Sequence, residues 1–225
     1  MVPTIIYQDK DFLAINKPAG LLVHKVKDKE GGATLADWLV SRFPGMAAVG
    51  DDPELRPGIV HRLDKGTSGV MIVAKNQKAF DHLKGLFQRR EVKKEYLAVA
   101  KGLTPEKGMI DAPIGILPGT VRRSLHSSRM AKSAVTEYFR IKIFKEDGKD
   151  YSVIKVLPKT GRTHQIRVHL ASIGHPIAGD RLYGGKNQPV WAKRALLHAK
   201  SIEFVSPNGE ILRIEADPPE DFPRI

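Results

Sequence analysis

Residues His61-Arg62-Leu63-Asp64-Lys65-Gly66-Thr67-Ser68-Gly69 crowd a carboxylate, basic side chains and two glycines into one short segment. Val70-Met71-Ile72-Val73-Ala74 follows at once, a continuous apolar run of strand length that reads as buried on both faces. A loop at the end of a buried strand mounts reactive side chains on a rigid base. Glycines there let the backbone turn tightly or approach a substrate closely. An ionised Asp64 in such a loop can act as a nucleophile or take a proton. The same residues also fit a plain turn, with Asp64 capping local amides and Arg62 solvated. Local composition leaves both readings open.

A second cluster is Gly161-Arg162-Thr163-His164-Gln165-Ile166-Arg167-Val168-His169. Thr163 reads as the cap of a helix whose apolar positions are Ile166, Leu170 and Ile173, with Gly174 ending it. Arg162 and Arg167 then lie near the positive end of that helix. His164 and His169 are five residues apart, which places them roughly 140° apart around the axis, unlike the i, i+4 pair of a zinc helix. They are expected to hydrogen-bond in or near the core, and no metal is expected. Gly174-His175-Pro176-Ile177-Ala178-Gly179-Asp180 reads as a structural turn. There is no Gly-x-Ser-x-Gly elbow, no Walker A loop and no Gly-x-Gly-x-x-Gly after a strand, so no cofactor is expected.

The elements that hold these clusters read mainly as strands. Thr4–Tyr7 and Phe12–Asn16 open the chain around a polar turn, and Lys25–Gly32 reads as a mobile charged loop. Thr34 with Asp37 predicts a capped helix presenting Leu35, Trp38 and Leu39. Met46–Pro57 reads as irregular. Asn76 predicts a second cap, followed by the packing stripe Phe80, Leu83 and Phe87. Glu95–Ala100 is a strand, Lys101–Thr120 a glycine- and proline-rich stretch, and Arg122, Arg123, His126, Arg129 and Lys132 mark a basic segment. Ala134–Phe144 pairs with Tyr151–Leu157 through Glu146-Asp147-Gly148-Lys149, and late strands lie around Ile202–Val205 and Ile211–Glu215. Strands joined by hairpin turns predict an α+β fold rather than a Rossmann domain. With no repeat and no clear linker, residues 1–225 read as one domain in two halves sharing a sheet.

Among 225 residues, 37 Lys and Arg against 25 Asp and Glu give a net charge of +12. Such an excess suits a polyanion, nucleic acid first and an anionic membrane second; a merely basic soluble enzyme also fits. The absence of cysteine removes disulfides, thiolate metal sites and cysteine nucleophiles. No apolar run approaches the roughly 18 residues that span a bilayer, so a soluble cytoplasmic protein without a membrane partner is expected.

Seven segments in order resemble one family, the RluA-type RNA pseudouridine synthases. They are Asn16 through His24, His61 through Gly69, Lys94-Glu95-Tyr96-Leu97-Ala98, Lys132-Ser133-Ala134-Val135-Thr136, Gly161 through Leu170, Gly174 through Asp180, and Leu197-His198-Ala199. The resemblance implies that fold, a long mixed and mainly antiparallel sheet with flanking helices and a central catalytic cleft. It implies isomerisation of uridine to pseudouridine in rRNA, tRNA or both, with Asp64 as the catalytic carboxylate after base flipping. Tyr96 then stacks on the uracil, Arg167 pairs with the aspartate, and Ile166 forms an apolar wall. Arg62 enters the RNA stack, and Arg162 supports the loop or binds phosphate. His61, Arg122, Arg123 and Arg129 join Arg62 and Arg162 as expected RNA contacts. Many relatives carry a small S4-like RNA-binding domain ahead of the catalytic one. Here the first motif begins by residue 16, so the expectation is a stand-alone catalytic domain, a monomer by default, with Lys25–Gly32 and Arg122–Lys132 selecting RNA. Two other readings compete: a non-catalytic RNA-binding or chaperone module, and a metal hydrolase using His61, Asp64 and His164.

Overall fold

In a computed structural model, residues 2–25, 32–120 and 122–223 are described. The loop expected over Lys25–Gly32 lies largely outside them. In chain order the elements are β1 (Thr4–Gln8), β2 (Phe12–Lys17), α1 (Leu35–Arg42), β3 (Ser68–Ala74), α2 (Gln77–Arg89), β4 (Lys93–Lys101), β5 (Lys107–Asp111) and β6 (Gly115–Ile116). They continue with β7 (Arg123–Ser124), β8 (Val135–Glu146), β9 (Lys149–Pro158), α3 (Gln165–Ser172), β10 (Leu197–Val205) and β11 (Ile211–Glu215). The described residues form two compact units, Met1–Lys93 with Ala199–Asp217 and Lys94–His198 with Pro218–Ile225. Antiparallel strand pairs with three α-helices among the described residues make the expected α+β fold.

In the first unit, Asp9 Oδ1 accepts from the Asp11 and Phe12 amides at 2.7 and 2.8 Å and closes the β1–β2 turn. β3 lies between β2 and β10, and all seven of its residues are buried, as its continuous apolar run predicts. Both predicted caps form. Thr34 and Asp37 make a reciprocal capping box, and the Thr34 amide holds the Asp37 carboxyl below its usual range. Asn76 caps α2, whose Phe80, Leu83 and Leu86 join Phe12, Ile72 and Phe204 in the core. Phe87, expected in the same stripe, is only partly buried. A 3-10 helix over Pro44–Ala48, which buries Met46, runs into the stretch expected to be irregular.

In the second unit, β8 and β9 form a long hairpin turned by Asp147 (φ 49°) and Gly148 (φ 70°). Positive φ at both central residues matches the right-handed twist of the strands, and an Asp-Gly pair tolerates it. β4 pairs with β9 from Tyr96↔Val156 onward, and β5 pairs with the other side of β8. The glycine- and proline-rich stretch thus holds a strand, β5, and the start of the β6–β7 ribbon, both hidden in the sequence by their turn residues. Tyr138, Tyr151, Ile154, Val156 and Leu170 build the core.

Helix α3 corrects one expectation. Thr163 is not its cap: His164 takes that place in the left-handed region (φ 58°, ψ 16°) without a side-chain cap. Instead, Gln165 turns inward and its Oε1 accepts the Arg162 amide at 3.0 Å. Gly174 follows the helix with φ 82°, the left-handed ending predicted for it.

Candidate active site

The residues singled out for chemistry are held by two sets of contacts, one in each unit. In the first unit the segment before Asp64 is fastened to β3. Gly58 O accepts the Ala74 amide at 2.9 Å, and a β-carbon on Gly58 would lie 2.2 Å from Ala74 O. His61 Nε2 accepts the Ile72 amide at 2.9 Å, and its ring stacks on Phe87 at 4.5 Å. His61 is therefore an anchor of the loop. With its Nε2 lone pair facing an N–H, that atom is closed to a metal, which weakens the metal-hydrolase reading.

Beyond the anchor, Leu63 is buried and Asp64 O accepts the Thr67 amide at 3.1 Å, so the half-buried Asp64 opens a tight turn. Lys65 O is held twice, by the Gly20 amide at 2.7 Å and by Lys17 Nζ at 3.3 Å. The fully buried Lys17 ammonium also donates to Pro18 O at 2.9 Å and Leu21 O at 3.0 Å. Gly69 closes the loop at φ 116°, where a β-carbon would lie 2.2 Å from Ala199 O. The exposed Arg62 has its Nη1 3.1 Å from His24 Nε2, and His24 Nδ1 is 2.8 Å from Lys25 O. A neutral His24 protonated on Nδ1 satisfies both contacts. The motif at 16–24 and the loop at 61–69 thus meet in space.

In the second unit, Tyr96 lies half-buried on β4. On α3, Ile166 is buried and Arg167 binds Asp180 through Nε at 2.7 Å and Nη2 at 2.9 Å. Burial by itself raises the Asp180 pKa, but the Arg167 guanidinium and the Tyr183 and Leu182 amides outweigh it and hold the carboxyl below its usual value. The Arg167 guanidinium also lies 5.1 Å over the Tyr183 ring. The Tyr183 hydroxyl accepts the Arg123 amide at 2.9 Å and stands 2.8 Å from His164 Nδ1.

A buried polar chain fixes α3 against β8. Thr160 Oγ1 accepts the Val135 amide and donates to Gln165 Oε1, while Gln165 Nε2 donates to Val135 O and Thr136 Oγ1. His169, fully buried, has Nε2 3.0 Å from Ala112 O and Nδ1 2.9 Å from Thr136 Oγ1. A carbonyl only accepts, so Nε2 carries the proton and Nδ1 accepts from Thr136. Burial holds the His169 pKa below its usual value, which fits a neutral ring. His164 and His169 therefore engage in hydrogen bonds, as expected. Arg162 Nε donates to Ser133 O at 3.1 Å, a loop-supporting contact.

The three basic candidates separate. Arg122 is exposed and donates to Leu182 O at 2.7 Å, whereas Arg129 is exposed on its own turn. Arg123 is half-buried, and its Nε has no hydrogen-bond partner among the described residues. Sequence reasoning missed Lys17, Asp180 and Tyr183 as site residues. Lys17 and Asp180 stood inside quoted motifs, but nothing in linear spacing shows which backbone or guanidinium they hold.

A family model described as RNA pseudouridylate synthase matches residues 11–172, and the chain belongs to that family. The protein is an RNA pseudouridine synthase, an isomerase acting on RNA, and the resemblance to the RluA-type enzymes holds. The ribosomal large subunit pseudouridine synthase D of Haemophilus ducreyi is 38% identical over 97% of this chain and 68% of its own length. The uncharacterized RNA pseudouridine synthase YlyB of Bacillus subtilis is 39% identical over 97% of this chain and 70% of its own. Among solved structures, human RNA pseudouridylate synthase domain containing 1 superposes with a TM-score of 0.78 at 28% identity, covering 96% of this chain and 83% of that one. No described helix is long and apolar enough to cross a membrane.

Proposed function

We propose that Asp64 is the catalytic carboxylate and that the substrate is a uridine in large-subunit rRNA, with tRNA as a second candidate. The anchoring of the Asp64 turn carries this reading. Lys17, Gly20, His61 and Gly69 all fix the backbone on either side of one acid, more than a surface turn needs. The rRNA assignment draws support from relatives named as ribosomal large subunit pseudouridine synthases.

The reaction breaks the N1–C1′ bond, turns the uracil and joins C5 to C1′. An ionised carboxylate serves this as nucleophile at C1′, as nucleophile on the ring, or as the base that first removes a sugar proton. In this reading Tyr96 offers a ring face on which the cleaved base is retained and turns, Ile166 supplies an apolar wall, and Arg167 is the arginine that the family resemblance pairs with the aspartate. Arg62 takes the place of the flipped base in the stack, which offsets part of the few kcal/mol that flipping costs. Arg162 holds the loop around Ser133, and the basic surface meets phosphate. We also propose that residues 1–225 work as one catalytic domain, monomeric and cytoplasmic.

Tritium release from C5-labelled uridine in rRNA and tRNA transcripts tests the assignment. Asp64→Ala is expected to abolish release while RNA binding persists; turnover retained in that variant overturns the role of Asp64. Absence of release by the unaltered protein on both RNAs overturns the substrate class.

A further inference from the structure

The turn after Asp180 is built as a rigid frame. Gln188 Oε1 accepts the Gly179 amide at 2.9 Å, and Gln188 Nε2 donates back to Gly184 O and, at 3.1 Å, to Gly185 O. Gly184 has no room for a side chain, since a β-carbon would lie 2.5 Å from Gln188 Nε2 and 2.7 Å from Asp180 O. Beyond the turn, Trp191 packs edge-on against Tyr151 at 5.1 Å.

This frame displays charge of one sign. A cavity of about 680 Å³ is lined by Arg122, Arg181, Lys186 and Lys193 and by no carboxylate. Arg122 is held in place through Leu182 O, while Arg181, Lys186 and Lys193 are exposed and pair with no described residue. Asp180, next to Arg181 in the chain, is engaged by Arg167, and Asp221 is engaged by Arg194. Four cations around one cavity repel each other unless an anion enters. A phosphodiester suits them, because guanidinium forks and ammonium groups both donate to its oxygens. None of the residues proposed for chemistry lines the cavity.

We propose that this cavity is a second RNA contact, one that takes backbone phosphates of the substrate strand rather than the reacting uridine. The proposal rests on the RNA pseudouridine synthase reading and adds to it a site that positions the strand without reading bases. The remaining wall is made of Gln188 and small or apolar residues such as Val190, which offer little base-specific hydrogen bonding.

The test compares the 225-residue chain with its Arg181→Ala/Lys186→Ala/Lys193→Ala variant, using a large-subunit rRNA transcript. Binding is measured across roughly 50 to 200 mM salt, where each phosphate contact contributes about 0.7–0.9 to the slope of log affinity against log salt. The triple variant is expected to lose about one to two units of slope and roughly tenfold in affinity at low salt, with unchanged thermal unfolding. A charge-matched control, Lys107→Ala/Lys145→Ala/Lys149→Ala, is expected to keep the slope. Equal loss in the control assigns the effect to overall charge and overturns the site; an unchanged slope in the test variant overturns it directly. Inorganic phosphate separates a free anion from a strand. If it protects Lys186 and Lys193 from acetylation no better than chloride of equal ionic strength, the strand assignment stands. Saturable protection by phosphate, with RNA binding unaffected in the triple variant, overturns it. Tritium release by the unaltered protein is run alongside. Its absence sinks the catalytic reading while leaving the slope comparison valid.

Discussion

Asp180 receives both the Nε and the Nη2 hydrogen of Arg167, at 2.7 and 2.9 Å, in a pair whose side chains are 1% and 13% exposed. A bidentate fork fixes the plane of the guanidinium as well as its position. Removing one partner of a buried pair leaves an uncompensated charge, at a cost of about 3–5 kcal/mol. Asp180→Asn is therefore expected to lower the urea-unfolding free energy by about 3 kcal/mol and to reduce turnover with it. Unfolding indistinguishable from the unaltered protein would sink this account. The depressed Asp180 pKa adds a sign: its stabilisation is present above the ordinary value of 3.8 and lost as pH falls through the lower folded value.

Lys17 makes a different kind of prediction. Its ammonium holds three backbone carbonyls, one of them in the Asp64 loop. Lys17→Met keeps the volume and strands Pro18 O and Leu21 O, while Lys65 O keeps only the Gly20 amide. A loss of about 3 kcal/mol is expected, given about 1–3 kcal/mol per unsatisfied buried group and partial rehydration. Tritium release should fall with it. Full activity in a stable Lys17→Met protein contradicts the idea that this ammonium positions the loop.

The two loop glycines differ in both conformation and space. Gly69→Ala meets both a positive φ of 116° and the Ala199 backbone at 2.2 Å, so it is expected to cost about 2–4 kcal/mol. Gly66 has nothing within 4 Å of a built β-carbon, and Gly66→Ala is expected to change stability by less than about 1 kcal/mol. Thermal unfolding of the pair checks the ranking, and equal effects would refute it.

Protonation of His169 would remove the lone pair on Nδ1 that accepts the Thr136 hydroxyl and would place a charge in a buried site. Its folded pKa is depressed from 6.5, so below that value the unfolded chain takes up a proton that the folded chain does not. Stability from this group is complete above the unfolded value and is lost as pH falls toward the folded one. The melting temperature should drop between pH 7.5 and 5.5, and drop less in His169→Asn. Parallel pH profiles for the two proteins would rule His169 out as a source of that drop.

Much of this was legible in the sequence because it depends on near neighbours. Thr34 with Asp37, Asn76, the Asp147-Gly148 turn and the apolar run before Ala74 each announce a local structure through side-chain chemistry within a few residues. The cap of α3 was not legible, because Gln165 is drawn inward by Thr160, Val135 and Thr136, and that contact displaces Thr163 from its role. Strand β5 was hidden for a similar reason: its five residues become a strand only beside β8. Asp64 was legible as a candidate from its loop and motif, but the buried Lys17 beneath that loop was not. Burial of a lysine is decided by carbonyls that the fold converges from separate segments.

The first unit is not contiguous: its segments Met1–Lys93 and Ala199–Asp217 are separated by residues 94–198. The fully buried strand β3 needs β10 beside it, and Gly69 is pressed against Ala199. On a ribosome adding about 5–20 residues per second, that partner emerges about 5–20 s after residue 93. Through that interval the part of the β3 edge not held by Gly58 and His61 has no native neighbour, a window in which a nascent chain is open to wrong pairing.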